Sequence, residues 1–356
     1  MFSKLCLINN CPNWNDYLDA NDLLGMIDIF NMSKENAQSE YYSLCKTVPF
    51  LNKNDDNYES IFKTSLDPEN YNKNRYENIL ANESTLVTLN NGNYINANYI
   101  FDKKYISTQA PITQTIDDFW SMVWQQESQV IVMLTNYIEK HMVKADPYFS
   151  HHHKQIYGDF CVTTINVQKL SGIIITKLSL VYGEQSRIVH HLHYTEWPDF
   201  GIPESTKCMR TLVSLTQILQ KSNEKFVSKP IICHCSAGVG RSGTFITIYQ
   251  QIKSFYSGIN KSQISISENV SCIRKERNGM IQTDDQYYFI YLTIYDWIKQ
   301  QIKITNTFNT LHKRKSKSKS LCSLPSHINN ANNLSNQKSL QNHTLSMSSD
   351  IILCKC

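Results

Sequence analysis

Residues 234–243 read HCSAGVGRSG. They follow a short apolar run, residues 230–233, and lead from Ser242 into an apolar-periodic stretch. The spacing predicts a strand, a tight loop and a helix N-terminus. Such a turn is an anion cradle, because successive backbone N–H groups face inward and the helix dipole adds partial positive charge. Gly238 and Gly240 permit the backbone angles required, and Ser236, Ala237 and Val239 complete a loop of small residues. Cys235 stands at the mouth and Arg241 at the far rim. The positive potential there favours the thiolate, the nucleophilic form of cysteine. The planar fork of Arg241 suits two phosphate oxygens. The chemistry expected is thiolate attack on phosphorus, giving a cysteinyl-phosphate. Cys233, two residues back along the strand, reads as core packing.

A domain must hold this loop. The chain has 356 residues, 41% hydrophobic and 19% charged, enough to bury a sizeable core. Residues 131–134 and 173–175 read as buried strands, and residues 117–126 and 243–256 as helices. This alternation predicts an α/β or α+β domain over residues 41–303. Residues 1–40 read as an N-terminal extension packed on it. Residues 304–356 read as a disordered tail, since 10 Ser and 8 Asn from residue 305 on cannot bury enough surface to order it. The whole chain carries a net +4, and its basicity belongs to that tail, where seven Lys or Arg stand against one Asp. The body is therefore not a basic nucleic-acid surface. No apolar run approaches the roughly 18–20 residues of a membrane span. The apolar residues 5–8 are too short for a secretory signal, and eleven cysteines, an odd number, favour a reducing compartment.

The 234–243 loop resembles the signature loop of the protein tyrosine phosphatases, a resemblance that extends in family order over about residues 41–300. Trp197-Pro198-Asp199-Phe200-Gly201 resembles the family's mobile acid loop. The flanking Trp197 and Phe200 are expected to shield this carboxyl from water, which would suit a general acid. The resemblance assigns Asp199 as acid and then base. Residues 282–287, QTDDQY, resemble the segment whose glutamines, here Gln282 and Gln286, position the hydrolytic water. Ser242 resembles the hydroxyl that stabilises the leaving thiolate. Residues 72–80, NKNRYENIL, resemble the loop lining a deep phosphotyrosine slot, with Tyr76 as its aromatic wall beside Asn78 and Ile79.

Supporting roles follow from the same resemblance for His234, Trp197, Glu139, which orients Arg241, and Lys144, which contacts the acid loop. Arg274 and Arg277 are expected in buried ion pairs. The resemblance implies a highly twisted mixed β-sheet flanked by α-helices, phosphotyrosine-containing proteins as substrates, and neither cofactor nor metal. His151-His152-His153 reads as a solvated run. Two departures stand out: Asn78 replaces the family's aspartate, and residues 145–150 differ from the usual Cys, Trp and Pro around Tyr148. The basic run at 312–319 and the terminal Cys354-Lys355-Cys356 suggest weak membrane association through charge and prenylation. Cys235 is also expected to oxidise reversibly, through a sulfenic acid that condenses with the Ser236 backbone nitrogen.

The reading is a cytoplasmic, cysteine-based enzyme hydrolysing phosphotyrosine. Its alternatives are a substrate-trapping phosphotyrosine module and a lipid or RNA phosphatase. Composition and a lone catalytic domain also resemble the polydnavirus phosphatases of parasitoid wasps, which would place it in the cytoplasm of a host cell.

Overall fold

The structure, a computed structural model, describes residues 20–199, 201–256 and 264–321. It divides into Met1–Phe308 and Asn309–Cys356. Among the described residues of the first unit, the α-helices α1 (Ala20–Phe30), α2 (Lys34–Thr47) and the single turn α3 (Tyr58–Ile61) precede β1 (Ala97–Ile100) and β2 (Tyr105–Thr108). Then come α4 (Ile116–Gln125), β3 (Val130–Met133) and the hairpin β4 (Ile138–Glu139) and β5 (Met142–Val143). Strands β6 (Gln155–Tyr157), β7 (Phe160–Leu170), β8 (Ile173–Tyr182) and β9 (Gln185–Tyr194) follow. The chain continues through α5 (Lys207–Lys221), β10 (Ile231–His234), α6 (Gly240–Phe255), α7 (Ile266–Glu276) and α8 (Asp284–Leu321).

Eight strands form one mixed sheet in the order β1-β2-β10-β3-β9-β8-β7-β6. Its centre, β2-β10-β3-β9, is parallel, and antiparallel strands close both edges. Parallel strands are buried on both faces, and β10 is buried at all four positions. Its side chains alternate between two cores. Ile231 and Cys233 join Val130 and Val132 against α5 to α8, while Ile232 joins Ile131, Met133 and the α4 residues Phe119 and Trp120. Truncating Phe245, fully buried on α6, to alanine should cost about 3–5 kcal/mol. The C-terminal end of β10 thus opens into the cysteine loop from the buried centre of the sheet.

The mixed sheet flanked by helices is the fold that the resemblance implied, but two expected boundaries fall inside helices. Residue 40 lies within α2, whose buried residues Ala37, Tyr41 and Leu44 run straight across it. Residue 304 lies within α8, which continues to Leu321. No Gly or Pro interrupts the sequence between Asp284 and Pro325, so nothing local ends the helix where the composition changes. Cys354, Cys356 and Phe200 lie outside the described residues, as do the side chains of residues 308–321.

Candidate active site

The loop from Cys235 to Gly240 has its carbonyls drawn outward. The Cys235 carbonyl accepts from His234 Nδ1 at 3.0 Å and that of Ser236 from the Ala110 N–H at 2.9 Å. The Ala237 carbonyl accepts from Arg277 Nη2 at 3.1 Å, and that of Gly238 from Arg277 Nε at 2.8 Å and Ser107 Oγ at 2.9 Å. The Val239 carbonyl accepts from the N–H groups of Gly243 and Ile281. Pinning each carbonyl away from the centre turns the peptide N–H groups toward it, which is the requirement for an anion nest. The Gly238 N–H already donates to Cys235 Sγ at 3.3 Å. Gly238 has φ +69°, and a Cβ there would lie 2.0 Å from the Thr108 carbonyl oxygen, so only glycine fits.

Arg277 is fully buried and holds this loop from behind, with Nη1 on Asn98 Oδ1 and Nη2 on Asn96 Oδ1, both at 2.7 Å. Burial lowers its guanidinium to about 10. Arg274 donates to the carbonyls of Met280 and Ile281, each at 2.9 Å. Both arginines therefore hold loops, but through neutral oxygens instead of the ion pairs expected. A guanidinium has five donors, and backbone and amide oxygens satisfy them without burying a second charge.

Arg241 meets Glu139 from the β4–β5 hairpin, Nη1 to Oε1 at 2.6 Å and Nη2 to Oε2 at 2.9 Å. Its Nη1 also donates to the Leu134 carbonyl and its Nη2 to that of Pro198 at 3.1 Å. The fork read as a phosphate ligand is thus engaged by protein in this arrangement, and it ties the acid loop to the pocket. Burial pushes the Glu139 carboxyl up. The Arg241 hydrogen bonds and charge, with the Asn136 N–H and the Thr135 hydroxyl, overcome this and hold it below the ordinary carboxylate value. Trp197 is buried against Tyr194 and Phe289, and its Nε1 donates to the Gly201 carbonyl across the loop at 3.2 Å.

Behind Cys235 lies a buried polar chain. Tyr148 Oη sits 2.7 Å from His234 Nε2 and 2.6 Å from His191 Nε2. The Cys235 carbonyl can only accept, so His234 Nδ1 carries a proton. Burial lowers the His234 imidazole to about 4, so it is neutral and its Nε2 must accept. Tyr148 then donates to His234 and accepts from His191 Nε2–H. The other nitrogen of His191, Nδ1, is a bare lone pair, and it is buried without a partner among the described residues. The 145–150 loop, despite its unusual sequence, delivers a fully buried Tyr148 to this chain. Cys233 is fully buried, and burial holds its thiol well above the ordinary value.

A cavity of about 440 Å³ opens above Cys235, lined among others by Tyr76, Asn78, Ile79, Lys144, Asp199 and Gln282. Ser236 Oγ donates to the Lys144 carbonyl at 2.8 Å, so Tyr76 Oη, 2.7 Å away, donates to Ser236. The ring wall is thereby fixed to the cradle. Gln282 and Gln286 close the other side: a Cβ on Gly240 would lie 2.6 Å from Gln282 Oε1 and 3.0 Å from Gln286 Nε2. The structure thus gathers Cys235, Ser236, Ala237, Arg241, Asp199, Gln282, Gln286, Tyr76, Asn78 and Ile79 around one cavity. Ser242 is fully buried, and among the described residues its hydroxyl makes no hydrogen bond to Cys235 Sγ. Lys144 and Asp199 line the same cavity without forming an ion pair. Among the described residues no group of three His, Cys, Asp or Glu is placed to hold a metal ion.

The mixed sheet and the Cys235–Arg241 loop have the arrangement of the cysteine-loop phosphatase class. Residues 70–296 match the family model described as protein-tyrosine phosphatase, and the chain belongs to that family. It is 43% identical to tyrosine-protein phosphatase 3 of Dictyostelium discoideum over 67% of this chain and 26% of that protein. It is 37% identical to tyrosine-protein phosphatase 2 of the same organism over 65% of this chain and 60% of that one. Human receptor-type tyrosine-protein phosphatase zeta is 35% identical over 66% of this chain and 11% of its own length. The match thus spans less than two thirds of each of these relatives.

Proposed function

We propose that this chain hydrolyses phosphotyrosine in proteins through a cysteinyl-phosphate. The observation that carries the reading is the Cys235–Gly240 loop with every carbonyl through Val239 pinned outward, a tetrahedral-anion site with a sulfur at its centre. In the first half-reaction Cys235 Sγ attacks phosphorus as the phosphorus–oxygen bond to the phenol breaks, and Asp199 gives the leaving oxygen its proton. In the second, Asp199 takes a proton from a water held by Gln282 and Gln286. The water oxygen bonds to phosphorus as the sulfur–phosphorus bond breaks, releasing phosphate and the thiolate. Arg241 compensates the charge on the phosphoryl oxygens, with its fork shared between Glu139 and substrate. Ser242, close behind the loop, is the hydroxyl assigned to the leaving thiolate. Tyr76 stacks on the substrate ring, and this aromatic wall favours phosphotyrosine over phosphoserine.

Phosphotyrosine-containing proteins are the partners this implies. No described helix is long and apolar enough to cross a membrane. Free thiols at Cys45, Cys161, Cys208, Cys233, Cys235 and Cys272 fit a reducing compartment such as the cytoplasm. Acid quenching during turnover tests the mechanism. Phosphate should be trapped on wild-type protein through Cys235, and Cys235→Ser should trap none. A phosphoenzyme that persists in Cys235→Ser would refute the assignment. Tight phosphopeptide binding with no phosphoenzyme would favour the trapping module.

A further inference from the structure

Helix α2 lies outside the matched region 70–296, yet its polar side chains close on the segment that carries Gln282 and Gln286. Lys34, Gln38 and Tyr42 share one helical face at i, i+4 spacing. Lys34 Nζ pairs with Asp285 Oδ1 at 2.7 Å. Gln38 Nε2 donates to Asp284 Oδ2 at 2.7 Å, and Tyr42 Oη donates to the same oxygen at 3.4 Å. Glu40 Oε1 accepts from the hydroxyls of Tyr287 and Tyr291 one and two turns along α8, the latter at 2.7 Å. Tyr41 Oη donates to the Ile281 carbonyl at 3.3 Å, and Arg274, which bonds that carbonyl too, also donates to Cys45 Sγ at 3.3 Å.

These contacts converge on a strained turn. Ile281 has φ +61°, a left-handed backbone that a β-branched residue adopts at a cost of about 1–3 kcal/mol. Such a residue persists only when its surroundings over-determine it. Gln282 follows it directly, its N–H donating to Gln286 Oε1 at 2.9 Å, and both glutamines lie against the place a Gly240 Cβ would fill. The polar contacts of α2 thus run to Arg274 and to residues 281–291. The first half-reaction uses Cys235, Arg241 and Asp199, which stand on other segments. The second half-reaction uses the glutamines.

We propose that α2 is a positioning element for breakdown of the cysteinyl-phosphate: by fixing residues 281–287 it holds Gln282 and Gln286 in register for the attacking water. The inference rests on the proposed two-step phosphatase reading.

The test uses the full chain with p-nitrophenyl phosphate and a Lys34→Ala/Gln38→Ala double variant, both sites lying at the surface of α2. Tyr41→Phe serves as a second, milder variant, and Lys34→Arg as the conservative control. Acid quenching at saturating substrate gives the fraction of enzyme held as cysteinyl-phosphate. We expect that fraction to rise and kcat to fall by about three- to tenfold, while kcat/KM, which is set by the step that releases nitrophenol, stays within about twofold. Lys34→Arg should behave as wild type. A phosphoenzyme fraction unchanged in both variants, or kcat and kcat/KM falling together, would overturn the inference while leaving the activity intact. Failure of folded wild-type protein to form any cysteinyl-phosphate would overturn the activity reading, and this inference with it.

Discussion

Glu139 holds Arg241 through both carboxylate oxygens, at 2.6 and 2.9 Å, from a hairpin on the opposite side of the pocket. The pair is nearly buried, and removing one partner of such a pair typically costs about 3–5 kcal/mol. Glu139→Ala should therefore destabilise the fold by that order and raise KM for phosphotyrosine peptide, because Arg241 loses its orientation. The folded Glu139 carboxyl lies below its ordinary value, so the stabilisation is complete above about pH 4.5 and is lost as pH falls through the folded value. Glu139→Gln should remove that part of the acid dependence in urea titrations. An unchanged acid limb would contradict the assignment.

The buried histidines add a second pH dependence. Burial lowers His190 and His234 to about 4 each, and His191 well below its ordinary value. The unfolded chain takes up protons near pH 6.5 that the folded chain refuses, so stability should fall as pH drops from about 6.5 toward 4. Urea midpoints across that window report it. A flat profile would mean that these rings are less buried than the structure places them.

Tyr148→Phe removes the central hydroxyl of the His191–Tyr148–His234 chain. It leaves Nε2 of both rings unpartnered in the core, at about 1–3 kcal/mol for each. The loss should appear in thermal unfolding. His234 also loses the hydroxyl that donates to its Nε2, so the rate of Cys235 alkylation by iodoacetamide should change. A variant as stable as wild type would rule out the hydrogen-bonded chain.

Two glycines of one loop should behave differently. A Cβ at Gly238 meets the backbone of Thr108 and Gln109, which cannot move aside, so Gly238→Ala should prevent stable folding. A Cβ at Gly240 meets the ends of two glutamine side chains, which can. Gly240→Ala should fold and accumulate phosphoenzyme. Equal stability of the two variants, read by circular dichroism melting, would contradict this contrast.

Much of the site was legible because its chemistry is local. Residues 230–243 carry the strand, the cradle, the thiol and the cation together, and Asp199 stands out by its flanking aromatics, although the structure leaves it exposed instead of shielded. The strands around β10 were legible from short β-branched runs. What was not legible depends on contacts between distant segments. Arg277 finds Asn96 and Asn98 from about 180 residues away, and in sequence it looks like any arginine expecting a carboxylate. His191 reads as one member of a His-rich strand until Tyr148 is placed beside it. The extension expected to pack on the domain does so, but its boundary at residue 40 cuts through α2, because Gln38, Glu40 and Tyr41 all reach α8 and the turn before it.

Asn78 bears on substrate affinity. It is exposed at the rim of the cavity, where an amide offers a peptide backbone one hydrogen bond but no charge. Asn78→Asp should lower KM for a phosphotyrosine peptide by about three- to tenfold, since hydrogen bonds to a charged acceptor are worth roughly twice neutral ones. KM for p-nitrophenyl phosphate, which has no backbone, should not change. Equal effects on both substrates would place the residue in the phosphate site instead.

The most direct measurement is phosphate release from a phosphotyrosine peptide and its phosphoserine twin, in EDTA, by the wild type, Cys235→Ser and Asp199→Ala proteins. Release is expected from phosphotyrosine alone, abolished in Cys235→Ser and reduced by about 10²–10⁴-fold in Asp199→Ala. Comparable release from both peptides, or activity that survives loss of the Cys235 thiol, would contradict the cysteinyl-phosphate mechanism and its phosphotyrosine specificity.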